Sequence, residues 1–296
     1  MKTKPFFFIL VILCALLLAS RADTIQAAFF SHQGAAMTDD GDQLLFDLDA
    51  GTLTVDGQVL SLPEAGIPRV GCAEPGLFTL TYWQDGQNLL YPVENGQIGD
   101  AVALPQDAML LYPALGDHVY YHTRDHRICR FNWKTGAETL LLPQAGDLLL
   151  ADRWQDADYL IVSDTDGAFL LSVDAQGVCS QPLLLPGGFY YALCAASWGD
   201  LLVAGESLYC YSASGDILWQ LTAAYDAVDR VLPSAEGYTV LARQAGQVLR
   251  LELDRDGQIL STTLYEAQAP FRALPLVDGQ VWYDPADGAP GFIPLQ

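Results

Sequence analysis

Residues 108–142 read AMLLYPALGDHVYYHTRDHRICRFNWKTGAETLLL. Four short apolar runs stand in this stretch, at 108–112, 119–122, 128–133 and 138–142. Between them lie Gly116-Asp117, residues 123–126 and Lys134-Thr135-Gly136. Runs of four to six residues bounded by turn formers read as strands rather than helices. Glycine tolerates φ > 0 at a tight turn, and aspartate bonds its own backbone there. The stretch therefore predicts four antiparallel strands joined by short turns.

The same layout recurs along the chain. One ladder of turn glycines runs Gly57, Gly96, Gly136, Gly177, Gly215 and Gly257, in steps of 39, 40, 41, 38 and 42. A second ladder runs Gly41-Asp42, Gly76, Gly116-Asp117, Asp158, Gly199-Asp200, Gly237 and Asp278-Gly279. No stretch carries helical periodicity with caps, and prolines at 63, 105, 143 and 186 end apolar runs. Four strands in about 40 residues is the blade of a β-propeller. From the seven rungs of the second ladder we expect an all-β, seven-bladed β-propeller of four-stranded blades. The last repeat offers strands at 271–277, 280–283 and 292–295 but no fourth. Residues 27–32 precede the first repeat, and we expect this N-terminal strand to close the last blade and cover its edge. Two β-sandwich domains are the rival architecture, and six or eight blades are the alternative counts.

Composition narrows the function classes. Hydrophobic residues make up 51% and charged ones 17%, which excludes a disordered chain. Acids outnumber bases 36 to 14, a net charge of −22, so the chain should repel nucleic acid and anionic lipid. Lys2 and Lys4, the apolar run 6–19 and Ser20-Arg21-Ala22 have the layout of a secretory signal peptide. The run would span about 21 Å as a helix, short of the ~30 Å hydrocarbon core. We expect a signal at 1–22, with a retained anchor as the alternative, and a propeller domain at 23–296. Cleavage leaves 11 bases against 36 acids. It also leaves Cys72, Cys129, Cys179, Cys194 and Cys210, an odd count without a CxxC pair, so a disulfide framework is not indicated.

Residues 205–219 (GESLYCYSASGDILW) and 246–260 (GQVLRLELDRDGQIL) resemble the repeat of quinoprotein-type (PQQ-like) propellers. That repeat has a strand LxAxD followed by xxGxxxW, and its Trp docks between blades. Only Trp219 matches that Trp; Thr139, Ser180 and Ser261 stand near it in other repeats. The resemblance implies a propeller and includes non-enzymatic relatives such as envelope assembly factors. Fold alone licenses no activity.

Candidate chemistry is sparse. His118, His122 and His126 are spaced i, i+4. Across extended chain such neighbours lie about 13 Å apart, too far for one metal. Asp164-Thr165-Asp166-Gly167 and Asp254-Arg255-Asp256-Gly257 echo part of a calcium loop but lack its further ligands. Ser163 to Gly167 also faintly resembles the Asp-box of sialidase-like propellers, with Thr165 where the aspartate belongs. No nucleophile elbow, Walker loop, HExxH or kinase signature is present.

Aligning the repeats puts Arg69, Asp107, Asp147, Tyr190, Arg230 and Arg272 at the starts of inner strands, with Asp226 nearby. Inner strands line a propeller's channel, so these residues form a candidate ligand-binding mouth. Arginines there could clamp a carboxylate or phosphate, or brace neighbouring aspartates. The resulting expectation is an exported, monomeric binding or scaffold module outside the cytoplasm, in the secreted or envelope fraction. Its partner would be a protein or a small polar or acidic ligand. No cofactor, metal or nucleic acid is expected, and membrane contact only through residues 5–19 if they are retained. The alternative is an enzyme with a channel-mouth site acting on a sugar or lactone.

Overall fold

The computed structural model describes residues 33–294 apart from 38–42, 56, 65–67, 75, 113–114, 144–145, 156, 223–224, 235, 266–269, 276–279 and 286–290. The expected signal at 1–22 and closing strand at 27–32 lie outside the described residues, as do the turn residues Gly41-Asp42 and Asp278-Gly279.

Every described element is a strand, and each repeat is an antiparallel meander. The first sheet holds β1 (Gln33–Met37), β2 (Gln43–Asp47), β3 (Thr52–Val55) and β4 (Gln58–Ser61). The second holds β5 (Arg69–Glu74), β6 (Leu77–Gln84), β7 (Gln87–Glu94), β8 (Gln97–Ile98) and β9 (Val102–Ala103). The third is β10 (Ala108–Leu111), β11 (His118–Thr123), β12 (Ile128–Asn132) and β13 (Glu138–Leu142). The fourth is β14 (Asp147–Trp154), β15 (Ala157–Asp164), β16 (Gly167–Val173) and β17 (Leu183–Leu184). The fifth is β18 (Tyr190–Ala195), β19 (Leu201–Gly205), β20 (Leu208–Tyr211) and β21 (Ile217–Leu221). The sixth is β22 (Ala227–Pro233), β23 (Gly237–Gln244), β24 (Gln247–Asp254) and β25 (Ile259–Tyr265). Beyond it, β26 (Pro270–Pro275), β27 (Gln280–Pro285) and β28 (Gly291–Pro294) form a sheet of three strands.

The molecule is an all-β propeller of four-stranded blades, and among the described residues it completes six blades, not the seven expected. Completion of a blade needs a turn from third to fourth strand, and the glycine ladder that makes those turns has six rungs. Among the described residues the sheet that follows the sixth blade has three strands and no outer one. The N-terminal strand that is described, β1, pairs with β2 as the inner strand of the first blade and not with the last sheet. The second blade also departs from four strands. Pro92 in β7 has no N–H to donate, and the outer strand is split there into β8 and β9, which both pair with β7. Gly99 bridges the break by donating to the Pro92 carbonyl at 2.8 Å.

All six ladder glycines from Gly57 to Gly257 have φ between +68° and +89°. The turns at Gly177, Gly215 and Gly257 share one hydrogen-bond scheme. At the sixth blade Gly257 N–H donates to the Asp254 carbonyl at 3.1 Å, and Gln258 N–H to Asp254 Oδ1 at 2.7 Å. Asp174 takes the same two bonds from Gly177 and Val178.

The core lies between sheets rather than within one. Five apolar clusters each join two consecutive blades, as where Leu202, Leu208 and Cys210 meet Tyr238, Val240 and Leu251. Trp219 fastens this pair of blades: its indole N–H donates to the Arg255 carbonyl at 2.7 Å in the next blade's turn. The docking expected for the repeat's Trp is thus made. Elsewhere the same job falls to a different residue. Buried Arg130, on β12, donates to the carbonyls of Asp174 and Ala175 in the turn of the following blade, at 3.0 and 3.3 Å.

Candidate functional site

The first strand of each sheet is its innermost, and these strands stand side by side around the axis: β1 against β5, β14 against β18, β18 against β22, and β26 against both β22 and β1. Five of them carry the same irregularity. The register shifts by one residue between Ala108 and Leu110, Leu148 and Leu150, Tyr190 and Ala192, Val228 and Arg230, and Pro270 and Arg272. A bulge of this kind re-aims the extra side chain. Met109, Leu149 and Tyr191 at three of these positions are exposed despite being large and apolar, because an innermost strand has solvent only on its axial side and at its ends.

The bulge sorts the candidate mouth residues into two levels. Asp107, Asp147, Tyr190 and Asp226 stand at the strand entrances, above it. Arg230 and Arg272 occupy equivalent positions directly below it. Arg69 opens β5, and its guanidinium donates across the axis-facing edge to the Leu111 carbonyl on β10 at 3.3 Å.

The entrance residues are tied to hairpin turns on the same face. Asp107 faces Arg127 at 3.4 Å, and Arg127 also holds Asp125 at 2.9 Å. Asp147 reaches back to the preceding blade, where His122 and His126 approach it at 3.4 and 3.8 Å. The turn brings these two rings within 6.3 Å of each other, through a left-handed His126 at φ +59°. His118 is not with them; it lies at the other end of β11, beside Asn132. Asp226 accepts the Ala245 N–H at 2.7 Å, and its carbonyl accepts from the Tyr191 phenol at 3.3 Å. Tyr190 donates to the Pro186 and Gly187 carbonyls at 2.8 and 3.1 Å. Among the described residues no three His, Cys, Asp or Glu side chains are grouped to hold a metal. The calcium-like turns satisfy themselves, Asp164 Oδ1 accepting from Asp166 and Gly167.

Below the entrance lies a cavity of about 140 Å³ walled by four blades. Its polar lining is Tyr112, Asp152, Tyr191, Asp229 and Arg230. Only Arg230 was legible as a candidate; the structure adds the other four. Asp229 is a bulge residue whose side chain is 5% exposed, and Arg243 on β23 holds it at 3.2 Å. Asp152 Oδ2 accepts the Ala195 N–H of the next blade at 2.7 Å. Burial raises the Tyr112 pKa above the usual phenol value, against the Ala151 backbone bond that lowers it; Asp152 adds to the rise and Arg230 opposes it. The phenol therefore stays protonated and able to donate. A sequence signal for this wall did exist: Asp152-Arg153 and Asp229-Arg230 interrupt otherwise apolar inner strands. Charged residues there must be paired to be tolerated. Arg153 in turn pairs with nearly buried Asp158, which also accepts from Tyr120.

Fold and channel define the class, a β-propeller. No protein-family model matches the chain, and no curated protein matches its sequence. Solved structures do match in fold. The Dos1 propeller superposes with a TM-score of 0.61 at 10% identity, over 88% of this chain and 77% of that one. BBS1N, solved in complex with ARL6DN, gives 0.54 at 13%, covering 88% and 90%. BamB from Moraxella catarrhalis gives 0.51 at 13%, covering 88% and 95%.

Proposed function

We propose that this chain is an exported binding module on a quinoprotein-type propeller, of the non-enzymatic kind, and that it takes a polar or acidic group of its partner at the channel mouth. The observation that carries this reading is the polar cavity beneath the mouth, whose lining brings Arg230, Tyr112 and Tyr191 together from three blades. A guanidinium beside phenols suits a carboxylate or phosphate oxygen. Similar folds include one solved in a complex, BBS1N with ARL6DN. The repeat type rests on residues 205–219 and on Trp219 docking into the next blade's turn. Export rests on residues 1–22.

Thermal melting of the purified chain with succinate, phosphate or glucose tests the mouth. At tenfold above its Kd, an acidic probe should raise Tm by about 2–3 °C. Arg230→Gln should abolish that rise. No shift with any probe at millimolar concentration, or an equal shift in the variant, defeats the assignment. Fractionation with N-terminal sequencing tests export: the recovered chain should lie outside the cytoplasm and begin at Asp23. A cytoplasmic chain starting at Met1 would refute it.

A further inference from the structure

The outer rim carries a surface that the channel reading leaves unused. Each blade ends in an edge strand, and β25 is the longest, seven residues against five or fewer in the other blades. Among the described residues β25 pairs with β24 alone, so its outer edge presents a row of open backbone groups. Such an edge templates the addition of another strand unless it is short, bulged, or guarded by Lys or Pro. The sequence ILSTTLY contains no charge and no proline. Its one bulge falls at the start, around Leu260, and leaves 261–265 regular. Ile259, Leu260 and Leu264 are 49%, 57% and 46% exposed, as apolar residues are on the other outer strands, but here they stand beside the longest open edge.

We propose that β25 takes an extended segment of a partner protein as an added antiparallel or parallel strand, with Leu260 and Leu264 giving side-chain contact. This goes beyond the channel reading, since the edge lies at the opposite end of the blade from the axis. Charge selects the occupant. A second copy would bring another chain of net charge −22 to an edge that starts beside Asp254 and Asp256. An extended segment with β-branched residues and flanking lysines meets the same edge with complementary charge. Backbone bonds supply affinity and the alternate side chains supply specificity in this mode of recognition. Trp219 locks the neighbouring blade to the turn that opens β25, so the edge is held rigid.

A labelled ten-residue peptide of alternating valine and lysine serves as the probe, at physiological salt. Its partner control has the same composition except for two consecutive central prolines, which remove a donor from each of its edges. The proposal expects the first peptide to bind by fluorescence anisotropy and to slow amide exchange along 261–265 at least tenfold. The proline peptide should bind at least tenfold more weakly. Thr262→Lys and Leu264→Lys should each weaken binding about tenfold with Tm unchanged, while Val59→Lys on the distant edge β4 should not. Equal binding of both peptides, protection away from β25, or no binding overturns the proposal. So does a dimer in sedimentation that Leu264→Lys dissolves, because the edge would then belong to a second copy.

Discussion

His118 sits half-buried at the lower end of β11, and burial holds its pKa below the ordinary imidazole value of about 6.5; Arg130 and then Arg153 push the same way, against Asp158 and Asp117. The sign follows from linkage. Above 6.5 the ring is neutral in both folded and unfolded chains, and the native state keeps its full stability. Below 6.5 the unfolded chain takes up a proton that the folded ring resists, so stability falls as pH drops through the folded pKa. Denaturant melts from pH 7.5 to 5 should show this loss, and His118→Gln should lessen it. Superimposable profiles for the two proteins would rule it out. The cysteines illustrate the same influence of burial. Cys129, Cys194 and Cys210 are buried in apolar clusters, and burial pushes the Cys210 thiol up to about 12. They serve as small packing groups.

At the scale of elements, the turn from third to fourth strand does two jobs, reversing the chain and receiving the preceding blade. Two glycines separate them. Gly136, at φ +75°, has open space where a Cβ would stand. At Gly257, at φ +78°, a Cβ would lie 2.5 Å from the Trp219 ring. Gly136→Ala should therefore cost only the left-handed backbone penalty, about 1–2 kcal/mol. Gly257→Ala should add an overpacking cost of about 1–3 kcal/mol and shift the Trp219 fluorescence. Chemical melts of the two variants check this; equal losses would mean that Trp219 does not bear on the turn. The turns were legible because φ > 0 demands glycine. The receiving slot was legible only at Trp219, because Arg130 fills it from a different strand with different chemistry. What they share is only a donor aimed at the next blade's carbonyl.

The whole molecule shows where the local code ends. Periodicity near 40 announced a propeller, and apolar runs between turns announced blades buried on both faces. Blade number needed the pairing itself. The ladder of first turns counts sheets that begin, while the ladder of second turns counts blades that finish, and only the latter gives six. The candidate site divides in the same way. Arg230 and Arg272 lined up with Asp107 and Asp147 in the sequence, yet a bulge shared by five inner strands places the arginines a level deeper. A one-residue slip in register leaves no mark in composition, since it is set by how an innermost strand twists around the axis. By itself, then, the sequence determined strand class, repeat length and turn positions, because these depend on φ and on alternation between neighbours. The tertiary structure alone decided which of the two ladders counts the blades, the depth of each mouth residue and the meeting of Tyr112, Asp152 and Asp229. Those depend on contacts between residues some 40 to 120 positions apart, which no local pattern encodes.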